Sequence, residues 1–237
     1  VIGVLSAEEL KRYSREIEII GTKGQEKLKN SKVAVVGIGG LGSPVAYYLA
    51  AAGIGKLLLI DEEKPELNNL DRQILHWEED LDKNPKAISA KWKLEKFNSN
   101  IKIEIFVGKL TRENINDVLK DVDVVVDCVD NFETRYILDE YTTVKNIPLV
   151  HAAISGFYGQ VTTIVPGKTE SLRDIFPNPP RGKREKSPIF APIAGIIGTI
   201  EAAEVVKLIV KCGELLTNKL LIIDLAYDSF EVVDLKG

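Results

Sequence analysis

Residues 35–44 read VVGIGGLGSP: a β-branched run that ends on four closely spaced glycines and passes at once into small and apolar residues. A chain can make that passage in few ways. Glycine, with no Cβ, lets a backbone turn tightly and approach another group closely, so the segment predicts a strand, a sharp turn and the start of a helix. Gly37, Gly39 and Gly42 fit the G-x-G-x-x-G spacing in which such a turn aims backbone N–H groups at a phosphate, with Gly40 between them. The flanking pattern agrees. A β-run over 32–37, a helix rich in small residues over 41–52 and a second β-run over 56–61 make a βαβ unit with parallel strands and a right-handed crossover. Asp61 stands 19 residues beyond Gly42, at the end of the second strand, where a carboxylate reaches ribose hydroxyls. These features favour an adenosine nucleotide and leave NAD and ATP both open.

The alternation continues along the chain. Residues 6–29 read as a mostly polar helix with Arg12 and Arg15 on neighbouring turns of one face. Asn84 and Pro85 read as the cap and first residue of a helix ending at Phe97, with a strand over 101–106 after it. Thr111 is expected to cap a further helix, followed by an apolar strand over 122–127, a helix over 131–145 and a strand over 149–153. The predicted fold class is therefore α/β and Rossmann-like, a mainly parallel sheet with helices on both faces. Then the rhythm changes. Residues 159–165 alternate like a half-exposed strand, and 168–188 string Pro177, Pro179, Pro180 and Gly182 among six Lys or Arg residues, which predicts a long mobile loop. An apolar helix from Pro192 to Lys211 and C-terminal antiparallel strands over 219–224 and 230–235 complete the pattern.

Charge and cysteine usage narrow the function classes. The formal net charge is −4, with both signs interspersed, which gives a nucleic-acid partner no support. Cys128 and Cys212 lie far apart, neither in a C-x-x-C pair, which argues against a disulfide framework or a four-thiolate zinc site and fits a cytoplasmic setting. The longest apolar stretch, residues 189–200, is followed by Glu201, Glu204 and Lys207, too short and too charged a pattern to span a membrane. Residues 1–9 lack the basic start and apolar run of a secretory leader.

The segment after Asp61 separates ATP from NAD. A dehydrogenase would run on into another simple crossover, whereas here Asn68, Asn69, Leu70, Asp71, Arg72 and Gln73 interrupt it, and Lys86 follows near the start of a helix. Cations aimed at one end of a nucleotide suit a triphosphate. Arg offers a planar fork and Lys a compact charge, and both stabilise a departing pyrophosphate; standing alone, either would equally be a solvated surface charge. Residues 127–131, DCVDN, close the fourth strand, at the edge where ligands bind in open α/β sheets. Asp130 there could hold Mg²⁺ through one carboxylate or cap the next helix near Asn131, and Asp127 reads as a structural acid.

Together these blocks resemble the ThiF/MoeB/HesA-type adenylyltransferase family within the E1-like ubiquitin-activating superfamily. The carriers are Arg12-Tyr13-Ser14-Arg15, VVGIGGLGSPVAYYLAAAGIGKLLLID, NNLDRQILH, Asn84-Pro85-Lys86-Ala87, the 127–131 segment and Ala191-Pro192-Ile193-Ala194-Gly195. The likeness runs from about Arg12 to Leu235. It implies a single E1-like adenylation domain over 1–237, with a helical arm over 1–30, a nucleotide-binding core over 31–165, a crossover loop over 166–188 and a C-terminal helix and strands over 189–237. It further implies that Gly40 lies against ATP, that Asp61 binds the ribose, and that Asn69, Arg72 and Lys86 contact phosphates with Gln73 nearby. Asp130 would organise Mg²⁺ and Asn131 line the base pocket. In homodimeric members the second arginine of the R-Y-x-R block enters the partner's site, which makes Arg15 the candidate for a charge supplied in trans. The implied substrate is the C-terminal Gly-Gly tail of a ubiquitin-like or sulfur-carrier protein, adenylated under the crossover loop, where Lys183, Arg184 and Lys186 add positive charge.

The chain departs from the pattern in two places. It lacks the paired C-x-x-C motifs that hold zinc in many relatives, so no zinc is expected, and the position of a thioester cysteine falls near Arg184. Cys128 and Cys212 are expected to be inert, and the acyl group is expected to pass to another nucleophile without a thioester on this chain. Three other functions stay in view: adenylation of a different carboxylate such as one on a modified tRNA base, a non-catalytic E1-like scaffold, and an NAD-dependent oxidoreductase.

Overall fold

The computed structural model describes residues 4–178 and 187–235. Its elements in chain order are α1 (Ala7–Arg12), α2 (Ser14–Lys29), β1 (Lys32–Val36), α3 (Gly42–Ala52), β2 (Lys56–Ile60), α4 (Lys86–Phe97), β3 (Lys102–Phe106), α5 (Ile115–Val118), β4 (Val124–Asp127), α6 (Phe132–Lys145), β5 (Leu149–Ser155), β6 (Tyr158–Ile164), α7 (Leu172–Ile175), α8 (Ala191–Val210), β7 (Lys219–Asp224) and β8 (Ser229–Asp234). One eight-stranded sheet carries them in the order β3-β2-β1-β4-β5-β6-β7-β8. The pairs from β3 through β5 are parallel, and β5 to β8 pair antiparallel, as the sequence predicts for the class.

Two-residue periodicity sorts the strand side chains into two cores. Val33, Val35, Val124 and Val126 point to one face, where they pack with α3, α4 and α8. Ala34, Val36 and Val125 point to the other and meet α5, α6 and α7. Central strands covered on both faces carry near-continuous apolar runs, which explains VAVV in β1 and the three valines of β4 that precede Asp127. Helix α8 lies buried along Ile193, Ile197 and Val205, each worth roughly 1.5–3 kcal/mol of removed apolar surface. Among the described residues no helix is long and apolar enough to cross a membrane.

Several boundaries move relative to the sequence pattern. The expected single N-terminal helix breaks at Tyr13, which separates Arg12 from Arg15, and again inside α2 at Gly21, whose φ of 72° leaves the helical region. Asn84 does not cap α4; extended Pro85 precedes it, and the Lys86 N–H donates to the Glu63 carbonyl instead. Thr111 is not a helix cap either, since Asn114 precedes α5 and its side chain accepts from the Thr111 N–H. Strand β6 is largely buried rather than half exposed, because β5 and β7 flank it and α8 lies on it closely enough that a Cβ at Gly159 would stand 2.3 Å from Ile197. The segment expected to be loop throughout contains α7, capped by Ser171 and tied down by Asp139, whose carboxylate accepts from the Leu172 and Arg173 N–H groups. Lys183, Arg184 and Lys186 lie outside the described residues.

Candidate active site

Strand β1 pairs with β2 on one side and β4 on the other, so the winding reverses between β1 and β4. Such a switch point parts the connections at the carboxyl ends of the strands and opens a crevice. The cavity there is about 630 Å³. Its rim begins at the glycine turn. Gly37 has φ 89°, donates its N–H to the Ile60 carbonyl at 2.8 Å, and leaves no room for a Cβ, which would stand 2.7 Å from the Cys128 carbonyl oxygen. A Cβ at Gly42 would be 1.8 Å from the Gly37 carbonyl oxygen, so this glycine serves the closure of the turn and does not border the cavity. Gly39 and Gly40 do border it, and a Cβ at either would meet its nearest neighbour at an ordinary 3.5 Å. Packing does not demand glycine at these two positions; close approach of a ligand to bare backbone would.

Asp61 stands behind the turn, at the end of β2. Its carboxylate accepts from the Ile38 N–H at 2.7 Å and the Glu63 N–H at 2.8 Å, which locks the turn to the strand end. Burial pushes its pKa upward, against the pull of those N–H groups and of the Lys86 ammonium. Asn69, Arg72 and Gln73 form the wall beside the turn. Asn69 is buried and caps its own 3₁₀ turn through the Glu66 N–H. The Arg72 guanidinium bonds the Asn68 carbonyl at 2.9 Å and the Asp71 carboxylate at 2.6 Å. Gln73 is buried beside Gly39, and its Oε1 has no hydrogen-bond partner among the described residues. Lys86, at the first turn of α4, has a side chain 3% exposed, and its ammonium pairs at 2.7 Å with Glu63, whose side chain is 65% exposed. An exposed carboxylate can swing into water and release that ammonium to an incoming anion.

The third wall follows β4. Asp130 and Asn131 are exposed at the cavity edge. Asn131, not Asp130, caps α6, accepting from the Thr134 N–H at 2.9 Å, so the Asp130 carboxylate is not spent on the cap. Arg15 is the one predicted catalytic side chain away from the cavity: it is 92% exposed and lies 3.8 Å from Glu18. The structure thus gathers Gly37, Gly39, Gly40, Asp61, Asn69, Arg72, Gln73, Lys86, Asp130 and Asn131 around one space, and leaves Gly42 and Arg15 off its lining.

A buried polar layer beneath these residues leaves almost no mark in the sequence. Asp127 accepts from His151 Nδ1 at 2.7 Å across adjacent strands, and Arg135 of α6 donates to the Val129 and Ala152 carbonyls at 2.7 and 3.1 Å. His151 and Arg135 both border the cavity. Burial lowers the His151 pKa despite the Asp127 carboxylate, so the imidazole is neutral at pH 7. An Arg three residues into α6 and a lone His in an apolar strand have no spacing signature; Asp127 at a strand end was the only hint. Cys128 lies just past β4, with its thiol 3.9 Å from both Glu201 carboxyl oxygens, and burial raises its pKa far above the usual thiol value, with Glu201 and Asp127 adding to the rise. Such a thiol is a poor nucleophile. Cys212 follows α8, past the left-handed Lys211 cap, and is partly buried.

A nucleotide fits this donor set. It would supply a partner for the orphaned Gln73 carbonyl oxygen through bound water or metal, occupy the bare Gly39–Gly40 backbone and face the two cations. Among the described residues no group of three or more His, Cys, Asp or Glu side chains converges to hold a metal. Mg²⁺ commonly needs only one or two carboxylates when phosphate oxygens and water complete its shell, and Asp130 fits that role.

Known proteins resemble this chain in sequence and in fold. The ThiF family pattern matches residues 13–237. The chain is 39% identical over 235 residues to the SAMP-activating enzyme E1 of Haloferax volcanii, covering 97% of this chain and 86% of the relative. It is 37% identical over 234 residues to the sulfur carrier protein adenylyltransferase of Thermus thermophilus, covering 94% and 86%. Among solved structures, E. coli MccB with ATP superposes with a TM-score of 0.83 at 29% identity, over 94% of this chain and 71% of that one.

Proposed function

This chain belongs to the ThiF family, and on that premise we propose that it is an ATP-dependent adenylyltransferase that activates the C-terminal glycine carboxylate of a ubiquitin-like or sulfur-carrier protein. The observation that carries this reading is that a bare glycine turn, Arg72, Gln73, Lys86 and Asp130 line one switch-point cavity. A tail carboxylate oxygen attacks the α-phosphorus of ATP; the bond from that phosphorus to the bridging oxygen breaks, and pyrophosphate leaves with the electron pair. A carboxylate is already nucleophilic at pH 7, so no proton has to be removed. What the site must do is hold two anions in line and screen them. Arg72 and Lys86 face the phosphates, Asp61 takes the ribose hydroxyls, Asn69 and Gln73 support the phosphate wall, and Asn131 borders the base. When bound at Asp130, Mg²⁺ would neutralise part of the phosphate charge.

Arg15 belongs to the same proposal through a second copy of the chain, whose Arg15 would complete the site. Neither cysteine takes the acyl group in this scheme, so the adenylate passes to an external nucleophile. The cytoplasm, where ATP is abundant and thiols stay reduced, is the proposed compartment. ATP–pyrophosphate exchange with purified proteins ending in Gly-Gly tests the whole reading. Exchange that requires the tail is the expected result, and Arg72→Ala and Asp130→Ala should each lower its rate by about 10²-fold or more while preserving the fold. Exchange without any tail would move the activity to a different carboxylate, and wild-type rates in both variants would remove these residues from the site.

A further inference from the structure

His76 closes the NNLDRQILH segment, is 3% exposed and does not border the cavity. Its Nε2 lies 2.7 Å from the Ile38 carbonyl oxygen, inside the glycine turn, and its Nδ1 lies 3.2 Å from Ser89 Oγ, on α4. A carbonyl only accepts, so Nε2 carries the proton and Nδ1 accepts from the Ser89 hydroxyl. Ser89 Oγ in turn accepts from the Lys93 ammonium at 3.0 Å, which also bonds the Leu75 carbonyl at 2.8 Å and the Asp80 carboxylate. One imidazole therefore ties together three segments: the turn with Gly39 and Gly40, the wall with Asn69, Arg72 and Gln73, and the helix that begins at Lys86.

We infer that His76 is a positioning residue for the phosphate half of the nucleotide site. The backbone of Ile38 is held on both sides, its N–H, in the peptide from Gly37, by Asp61 and its carbonyl, in the peptide to Gly39, by His76. With the peptide planar and trans, fixing that carbonyl also fixes the direction of the Gly39 N–H. Without the imidazole the turn keeps its link to Asp61, on the ribose side, but loses its link to the wall and helix that carry the cations. The distance between glycine backbone, Arg72 and Lys86 is then no longer set. Recognition of the phosphates should suffer, and recognition of the nucleoside should not.

The inference rests on the proposed nucleotide reading and is tested on the full chain by titration with ATP and, separately, with adenosine. His76→Leu keeps the bulk and removes the donor; it should weaken ATP binding about tenfold or more while leaving adenosine affinity unchanged. His76→Gln, whose amide N–H can reach the same carbonyl, should recover most of the loss. Ser89→Ala, which frees Nδ1, should shift ATP affinity in the same direction by a smaller factor and gives the answer should the Leu variant not fold. Equal losses for ATP and adenosine, no loss at all, or failure of Gln to restore binding would each overturn the positioning role. A wild-type chain that binds no ATP would instead overturn the nucleotide reading, so the two failures are distinguishable.

Discussion

Gly40 and Gly42 stand two residues apart and carry different duties. Alanine at 42 would drive its Cβ against the Gly37 carbonyl, a backbone group that cannot give way as a flexible side chain can. Alanine at 40 would make ordinary contact with Ala194 and Arg72 while filling space beside the cavity. The expected outcome is a divergence: Gly42→Ala loses about 3 kcal/mol or more in urea unfolding, whereas Gly40→Ala unfolds near the wild-type midpoint and binds ATP at least about tenfold more weakly. Variants that lose stability and binding in parallel would contradict the division. The places of Arg72 and Lys86 on the cavity lining were legible in sequence because their chemistry and spacing survive without a fold, and that of Gly40 through the family resemblance. Arg135, His151 and His76 were not, since each acts through a contact across a long stretch of chain, and a buried histidine leaves no periodic trace. Asn131 shows the intermediate case: its place at the site was readable, but its use as the α6 cap, which leaves Asp130 for the cavity, needed the helix start.

At the scale of elements, both histidines are joints. His76 links the turn to α4, and His151 joins β5 to β4 through Asp127. Burial holds the His76 pKa down to about 4, helped by Lys93 and Lys86, and burial also lowers that of His151. An unfolded chain titrates these groups near 6.5. Below that pH it binds protons that the fold refuses, so stability should fall as pH drops below about 6.5, for His76 down to about 4 and by up to about 1.4 kcal/mol per pH unit, with His151 acting in the same direction. Glu104 acts in a different window. Its bonds from Lys102 and Lys32 hold its pKa at about 2, so its contribution is present above about 4.5 and is lost only as the pH falls further. Urea unfolding at steps between pH 7 and 4.5 should therefore show a slope that His76→Gln flattens; an unchanged slope would exclude this imidazole as its source. The element pattern itself was largely readable, because periods of 2 and 3.6 follow from which faces are covered. The misses fall where long-range partners decide. Pro85 precedes α4 with no side-chain cap because Glu63 supplies an acceptor for the Lys86 N–H, and α7 forms because Asp139 supplies its N-terminal acceptors.

At the scale of the whole molecule, the proposed chemistry draws one of its cations, Arg15, from a second copy of the chain. Arg12 is held to its own chain, with a 2.5 Å bond to the Phe97 carbonyl and its guanidinium over the Phe97 ring. The break at Tyr13 sets Arg15 on the following helix, almost fully exposed and off the cavity lining. Under the proposed scheme an arginine so presented would serve a site on another copy, and a two-fold dimer would exchange two such arginines between two cavities. Complementation separates this arrangement from action within one chain. Arg15→Ala and Asp130→Ala should each be nearly inactive alone in pyrophosphate exchange. Mixed in equal amounts and allowed to reassort, about half the dimers would contain one chain of each kind. In these, the cavity that keeps Asp130 receives the intact Arg15 of the other chain, while the second cavity lacks both. Half of the dimers, each with one working site of two, should restore about a quarter of the wild-type rate. If Arg15 instead served its own cavity, every site in the mixture would lack one of the two residues and activity would stay at the level of the separate variants, whatever the degree of mixing.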